Sequence, residues 1–191
     1  MRVISGTARG TRLTSLKGAP VRPTLDRMKE SFFNRVGPGL AGVWFLDLFA
    51  GSGGIGIEAL SRGAEKVVFV ENDPRAQLVI YQNLAKCHMG PEGPAAEGKR
   101  WVLLKMDALH AIDVLAGRGL RFDVVYVDPP FALGVYDDVL LGLAESPLLG
   151  EGCRVVVEHH HKQVLAENYA TLALIDSRRM GDNRQTYFGL G

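Results

Sequence analysis

From Val43 onward the chain sets out five short apolar runs with four helical segments between them. The runs are Val43–Phe49, Lys66–Glu71, Trp101–Lys105, Phe122–Val127 and Cys153–Glu158. The helical segments are Gly54–Arg62, Pro74–Lys86, Ala108–Leu115 and Tyr136–Ala144. Continuous β-branched runs separated by helices require a parallel sheet covered on both faces. Leu172–Asp176 and Gln185–Leu190 break the rhythm: joined by a polar turn at Gly181-Asp182-Asn183, they predict an antiparallel hairpin at the sheet edge. The expected class is therefore α/β, a Rossmann-like sheet of mostly parallel strands ending in that hairpin.

Upstream the pattern is different. Residues 1–18 are short polar–apolar alternations broken by Gly6, Gly10 and Gly18, which suits a small β-hairpin or arm. A helix is expected from Leu25, capped by Thr24, with Leu25, Met28, Phe32 and Phe33 on one stripe and Gly37-Pro38-Gly39 as its stop. The chain divides into an extension over 1–39 and a sheet domain over 40–191. At 191 residues the whole can bury its own core.

Charge separates the same two parts. Residues 1–35 hold eight basic groups against Asp26 and Glu30, a net +6, while the remainder carries 14 basic and 19 acidic residues, a net −5. A basic arm on a mildly acidic body points to a polyanionic partner, and a solvated charged terminus is the plainer alternative. No apolar run reaches the roughly 18 residues of a membrane span, and no secretory signal is visible. Cys87 and Cys153 are isolated, so no disulfide framework is expected and a reducing cytoplasm is the simpler setting.

The first apolar run empties into Asp47-Leu48-Phe49-Ala50-Gly51-Ser52-Gly53-Gly54-Ile55-Gly56, with Gly51, Gly53 and Gly56 in a G-x-G-x-x-G arrangement. Such a loop lets backbone turn tightly and approach a ligand beyond the carboxyl ends of the strands. The pattern alone suits a nicotinamide cofactor or S-adenosylmethionine. Asp47 sits badly beside a pyrophosphate and well beside a cationic amino-acid head. Glu71 ends the second run, where a carboxylate accepts both hydroxyls of a ribose. Asp107 follows the third run, placed either to meet an adenine amino group or to cap the next helix.

More specific is Asp128-Pro129-Pro130-Phe131, directly after Phe122–Val127. The prolines fix a rigid turn and remove two backbone donors. An acidic side chain beside proline carbonyls accepts hydrogen bonds from an –NH2 group, and Phe131 offers a flat face for a base. That is the equipment for methylating an exocyclic amine, whose lone pair is otherwise delocalised into its ring. Such a reaction needs alignment and electrostatics and no metal. A stacked target base would have to be flipped out.

Asp47 to Gly53 together with Asp128 to Phe131 resembles class I methyltransferases acting on exocyclic amines. Met1-Arg2-Val3-Ile4-Ser5-Gly6, Ala8-Arg9-Gly10, Arg22-Pro23-Thr24-Leu25-Asp26-Arg27 and Glu30-Ser31-Phe32-Phe33-Asn34 are similar to the RsmD family, bacterial 16S ribosomal RNA guanine-N2 methyltransferases. The resemblance runs from end to end. It implies a seven-stranded fold and a target at N2 of the guanine conventionally numbered 966. It implies S-adenosylmethionine as donor and S-adenosylhomocysteine as product, held by Asp47, Phe49, Gly51, Gly53, Glu71, Asn72, Asp107 and Ala108. Asp128, Pro129, Pro130 and Phe131 would hold the base. Arg2, Arg9, Arg12, Lys17, Arg22, Thr24 and Arg27 would face RNA, whether free 16S rRNA or a small-subunit assembly intermediate. Nothing demands a second copy, so a monomer is expected.

Rival readings keep the fold and change the substrate to DNA adenine or cytosine or a protein glutamine. An oxidoreductase leaves Asp128–Phe131 without a use, and a non-catalytic RNA-binding module has no need of the glycine loop. Gly93–Lys99 copies the spacing of a phosphate loop, but Arg100 replaces its hydroxyl residue and a strand follows. His159-His160-His161 is expected at a surface strand end, because neighbours on a strand face opposite ways and do not converge on one metal. Ser52 makes a poor nucleophile elbow.

Overall fold

The computed structural model describes residues 1–16, 23–37, 39–90 and 100–191. Helix α1 is Pro23–Val36, and then strands and helices alternate: β1 Trp44–Asp47, α2 Gly54–Ser61, β2 Lys66–Val70, α3 Pro74–Lys86, β3 Trp101–Leu104, α4 Ala108–Gly117, β4 Phe122–Val127, α5 Tyr136–Glu145 and β5 Leu149–His160. The chain closes with β6 Asn168–Tyr169, β7 Leu172–Met180 and β8 Asn183–Leu190. The strands form one sheet in the order β3-β2-β1-β4-β5-β8-β7-β6. The first five run parallel, and β8, β7 and β6 join antiparallel.

The sheet exceeds the expected seven strands by one. The additional β6 is two residues long, pairs only with β7, and carries no alternation from which it could be read. β5 also starts four residues earlier than its apolar run, across a register shift opposite Phe122 and Val124. The hairpin is longer and tighter than expected. β7 and β8 turn through Gly181 and Asp182, with Gly181 at φ 66.

One face of the sheet is covered by α4 and α5, which bury Ile112, Leu115, Leu140 and Leu143 against Leu46, Val125 and Val155. The other is covered by α1, α2, α3 and the N-terminal arm, around Phe32, Phe33, Phe45, Ile57, Ile80 and Tyr126. Three residues of the expected α1 stripe, Met28, Phe32 and Phe33, are closed to solvent as the spacing predicts, and the side chain of Leu25 lies outside the described residues. Gly56 of α2 is a packing residue, since a Cβ there would lie 2.2 Å from the Phe69 ring.

The arm is a hairpin-like loop with a single bridge, Arg2 to Arg12, and cross-loop bonds from Val3 N to Thr11 O and Leu13 N to Met1 O. It is pinned to α2. Glu58, fully buried, accepts the amides of Ile4 and Ser5 at 2.8 and 2.9 Å. The same carboxylate pairs with Lys29, whose ammonium also donates to the Arg2 carbonyl. Lys29 is therefore no free arm cation: its charge is satisfied inside the protein. Arg35 likewise pairs with Asp176. Arg9, Arg12 and Arg27 are exposed, and Arg2 lies near Asp26 with its side chain largely in solvent.

The histidine run departs from expectation too. His159 is buried, its Nε2 2.8 Å from the Thr186 hydroxyl and its ring edge-on to Tyr136, and only His160 and His161 reach the surface. Burial holds its imidazole below the usual pKa. Lys17, Arg22 and the 93–99 segment lie outside the described residues, as does the side chain of Thr24.

Candidate active site

A cavity of about 680 Å3 opens at the carboxyl ends of the parallel strands. Asp47, Phe49, Gly51, Glu71, Asn72, Asp107, Ala108, Asp128 and Pro130 all line it, so the two motifs meet in one space. Gly53, Pro129 and Phe131 do not. Gly53 is packed behind the loop against Ile57 and Ile80, and Pro129 is buried. Phe131 stands at the rim, 56% exposed, edge-on to His160.

The glycine loop owes its shape to left-handed backbone. Gly51 and Gly53 have φ 54 and 77, conformations that side chains resist. Nothing lies within 4 Å of where a Gly51 Cβ would stand. Glu71 braces the loop, its two carboxylate oxygens accepting the amides of Gly51 and Asp73, each at 2.8 Å. Each oxygen keeps a lone pair for a ligand hydroxyl. Asn83, unremarkable in the sequence, ties the loop to the arm: its amide group donates to the carbonyls of Ser52 and Thr14. Asp107 takes the capping role, accepting from His110 N at 2.9 Å, and still lines the cavity.

Three carboxyls occupy the floor. Asp47 ends β1, Asp128 follows β4, and Glu158 lies near the end of β5. Asp47 is buried and accepts from Gly56 N at 3.0 Å. Burial, aided by Glu71, lifts its carboxyl to about 7 against that bond. Asp128 is exposed on the side that faces the cavity, with protein packed around its other sides. That burial, then the neighbouring Glu158 and Asp47, push it well above the ordinary carboxylate range. Glu158 is fastened by the Tyr126 hydroxyl at 2.6 Å and the Asn183 amide at 3.0 Å, and burial raises it as well.

Neither Glu158 nor Tyr126 belongs to a sequence motif, and Met1, Leu16 and Lys29 complete the wall from the N-terminal side. A period-two count from Asp128 and Asp47 along the strands is the one signal that places Tyr126 on their face. Among the described residues no group of His, Cys, Asp and Glu is arranged to hold a metal ion.

The profile of a family described as "Conserved hypothetical protein 95" matches residues 1–189, nearly the entire chain. The chain belongs to this family, the RsmD family of methyltransferases. Among its relatives, a Bacillus subtilis protein named as an rRNA methyltransferase, YlbH, is 36% identical over 181 residues, covering 95% of this chain and 94% of its own. A Haemophilus influenzae protein named ribosomal RNA small subunit methyltransferase D is 34% identical over 174 residues, with 90% and 86% covered. The solved structure of yhhF from Escherichia coli superposes with a TM-score of 0.80 at 26% identity, covering 98% of this chain and 96% of that one. The sheet order, with its parallel half and antiparallel edge, is that of a class I methyltransferase with one short strand added.

Proposed function

We propose that this chain transfers a methyl group from S-adenosylmethionine to the exocyclic N2 of one guanine of 16S ribosomal RNA, the position conventionally numbered 966, releasing S-adenosylhomocysteine. The observation that carries the reading is that Gly51 and Glu71 on one side and Asp128 and Pro130 on the other line the same cavity. The likeness to relatives named for the small-subunit RNA supports the substrate class.

The residues present suit the donor. Gly51 has open space where a side chain would project, Glu71 retains acceptor capacity for ribose hydroxyls, and Asp47 puts a carboxyl near a cationic head. Phe49, Asn72, Asp107 and Ala108 complete that half of the cavity. When bound, the donor supplies a methyl already activated by its sulfonium. Everything else falls to the protein. Asp128 and the carbonyls of the Pro129-Pro130 turn accept the amine hydrogens and turn the nitrogen lone pair toward the methyl. Phe131, at the rim, receives a face of the base. The chain thus aligns its reactants and supplies acceptors where positive charge develops on nitrogen.

Residues 1–39 act in this reading as an RNA-binding extension of a catalytic domain over 40–191. Arg9, Arg12 and Arg27 offer exposed cations to phosphates, with Arg2 beside them. The test is transfer of radiolabelled methyl to 16S rRNA, to assembled small subunits and to DNA, all from cells lacking the enzyme. Label in RNA, mapped to guanine N2, is expected. Label confined to DNA or protein would replace the substrate with one of the rivals.

A further inference from the structure

The last register pair between β4 and β5 is Val127 with Val157. The next residue in each case is an acid: Asp128, just past the end of β4, and Glu158, still within β5. The two carboxyls therefore leave adjacent parallel strands side by side, and both line the cavity. Glu158 does not float there. One oxygen accepts the Tyr126 hydroxyl and the other the Asn183 amide, so β4 and β8 hold its carboxyl in place. It is 6% exposed, and the base-holding turn as read above makes no use of it. Two acids confined together do not both ionise easily, and one proton stays with the pair.

We propose that Glu158 is a positioning residue for methyl transfer, acting through Asp128: the two carboxyls form a pair whose ionised form takes up one proton from the amine. This rests on the function proposed above. In the step concerned, the amine nitrogen gives its lone pair to the methyl carbon. The sulfur–methyl bond breaks with both electrons left on sulfur, and one N–H proton passes to a carboxylate oxygen of Asp128. The pair, fully ionised before the step, is singly protonated after it and returns that proton to water. Glu158 keeps the proton affinity of Asp128 high, while the Tyr126 and Asn183 bonds keep Glu158 from turning away. The other titratable groups facing Asp128 are Asp47 from β1, Tyr126 from β4 and Tyr136 from α5, with Lys29 of α1 on the same cavity. Asp47 acts in the same direction as Glu158, though less strongly.

Glu158→Gln keeps the shape and removes the charge, and Glu158→Asp keeps the charge. The single-turnover methylation rate of 16S rRNA is expected to rise with pH as the pair loses protons. In Glu158→Gln that rise should move to lower pH by about one unit or more, and in Glu158→Asp it should stay near the wild type. The second measurement needs no substrate: carboxyl 13C titration of the full chain, with the Asp128 resonance assigned by its loss in Asp128→Asn. Its midpoint should fall in Glu158→Gln. A midpoint and rate profile both unmoved by Glu158→Gln overturn the proposal. An expected midpoint shift without any RNA methylation would preserve the pair and sink the assigned substrate instead.

Discussion

The ammonium of Lys29 lies 3.1 Å from the Glu58 carboxylate, with both side chains closed to solvent. Glu58 also holds Arg62 at 2.9 Å and two arm amides, so one buried acid joins α1, α2 and the arm. Removing one partner of such a pair strands the other. Glu58→Gln is expected to cost about 3–5 kcal/mol, read as a lower urea midpoint. Burial already lowers the Lys29 pKa against the pull of Glu58. Without that pull Lys29 sheds its proton more readily, and the defect should shrink as pH rises. A loss below about 1 kcal/mol would place the pair among the weak surface bridges.

Asp128→Asn should separate chemistry from donor binding. We expect kcat to fall by roughly 100-fold or more, the range for a positioned proton acceptor, with S-adenosylhomocysteine affinity by calorimetry within about threefold of wild type. Equal losses in both would place Asp128 in the donor half of the cavity.

Asp47 makes donor binding depend on pH. Its folded-state pKa of about 7 lies above the unfolded value near ~4, so its ionisation withdraws stability as pH climbs between them. A cationic ligand head favours the ionised form. Donor affinity should therefore increase through about pH 7, and Asp47→Asn should abolish the slope. A flat wild-type profile would remove Asp47 from contact with the amino group.

Arg9 and Arg12, both exposed, should act as phosphate ligands. Replacing the two with Ala is expected to reduce the dependence of log K on log salt by about 1.4 to 1.8 for RNA binding, roughly 0.7 to 0.9 for each phosphate no longer neutralised. An unaltered slope means that the arm does not grip RNA through them.

The sheet is readable from the sequence because its strands are buried on both faces, and a run such as Val67–Val70 has only one comfortable environment. The glycine loop and the Asp128 turn are readable for a different reason: their residue types are restricted by backbone shape. What escapes a reading of the sequence is set by long-range pairing. Glu158 ends an unexceptional apolar strand and gains its meaning from Tyr126 and Asn183, 32 and 25 residues away. Lys29 resembles any other arm cation until the fold sets Glu58 beneath it. His159 reads as surface, and only the fold closes Thr186 and Tyr136 over it.

Met1 and Leu16 form part of the cavity wall, and Met1 is pressed so closely onto α2 that a Cβ on Gly54 would meet its sulfur at 2.6 Å. The first sixteen residues are thus a structural panel of the container as well as the handle proposed for RNA. Swapping them for a relative's would remodel the ligand chamber along with the grip, and a chimera built to retarget one property would inherit changes in the other.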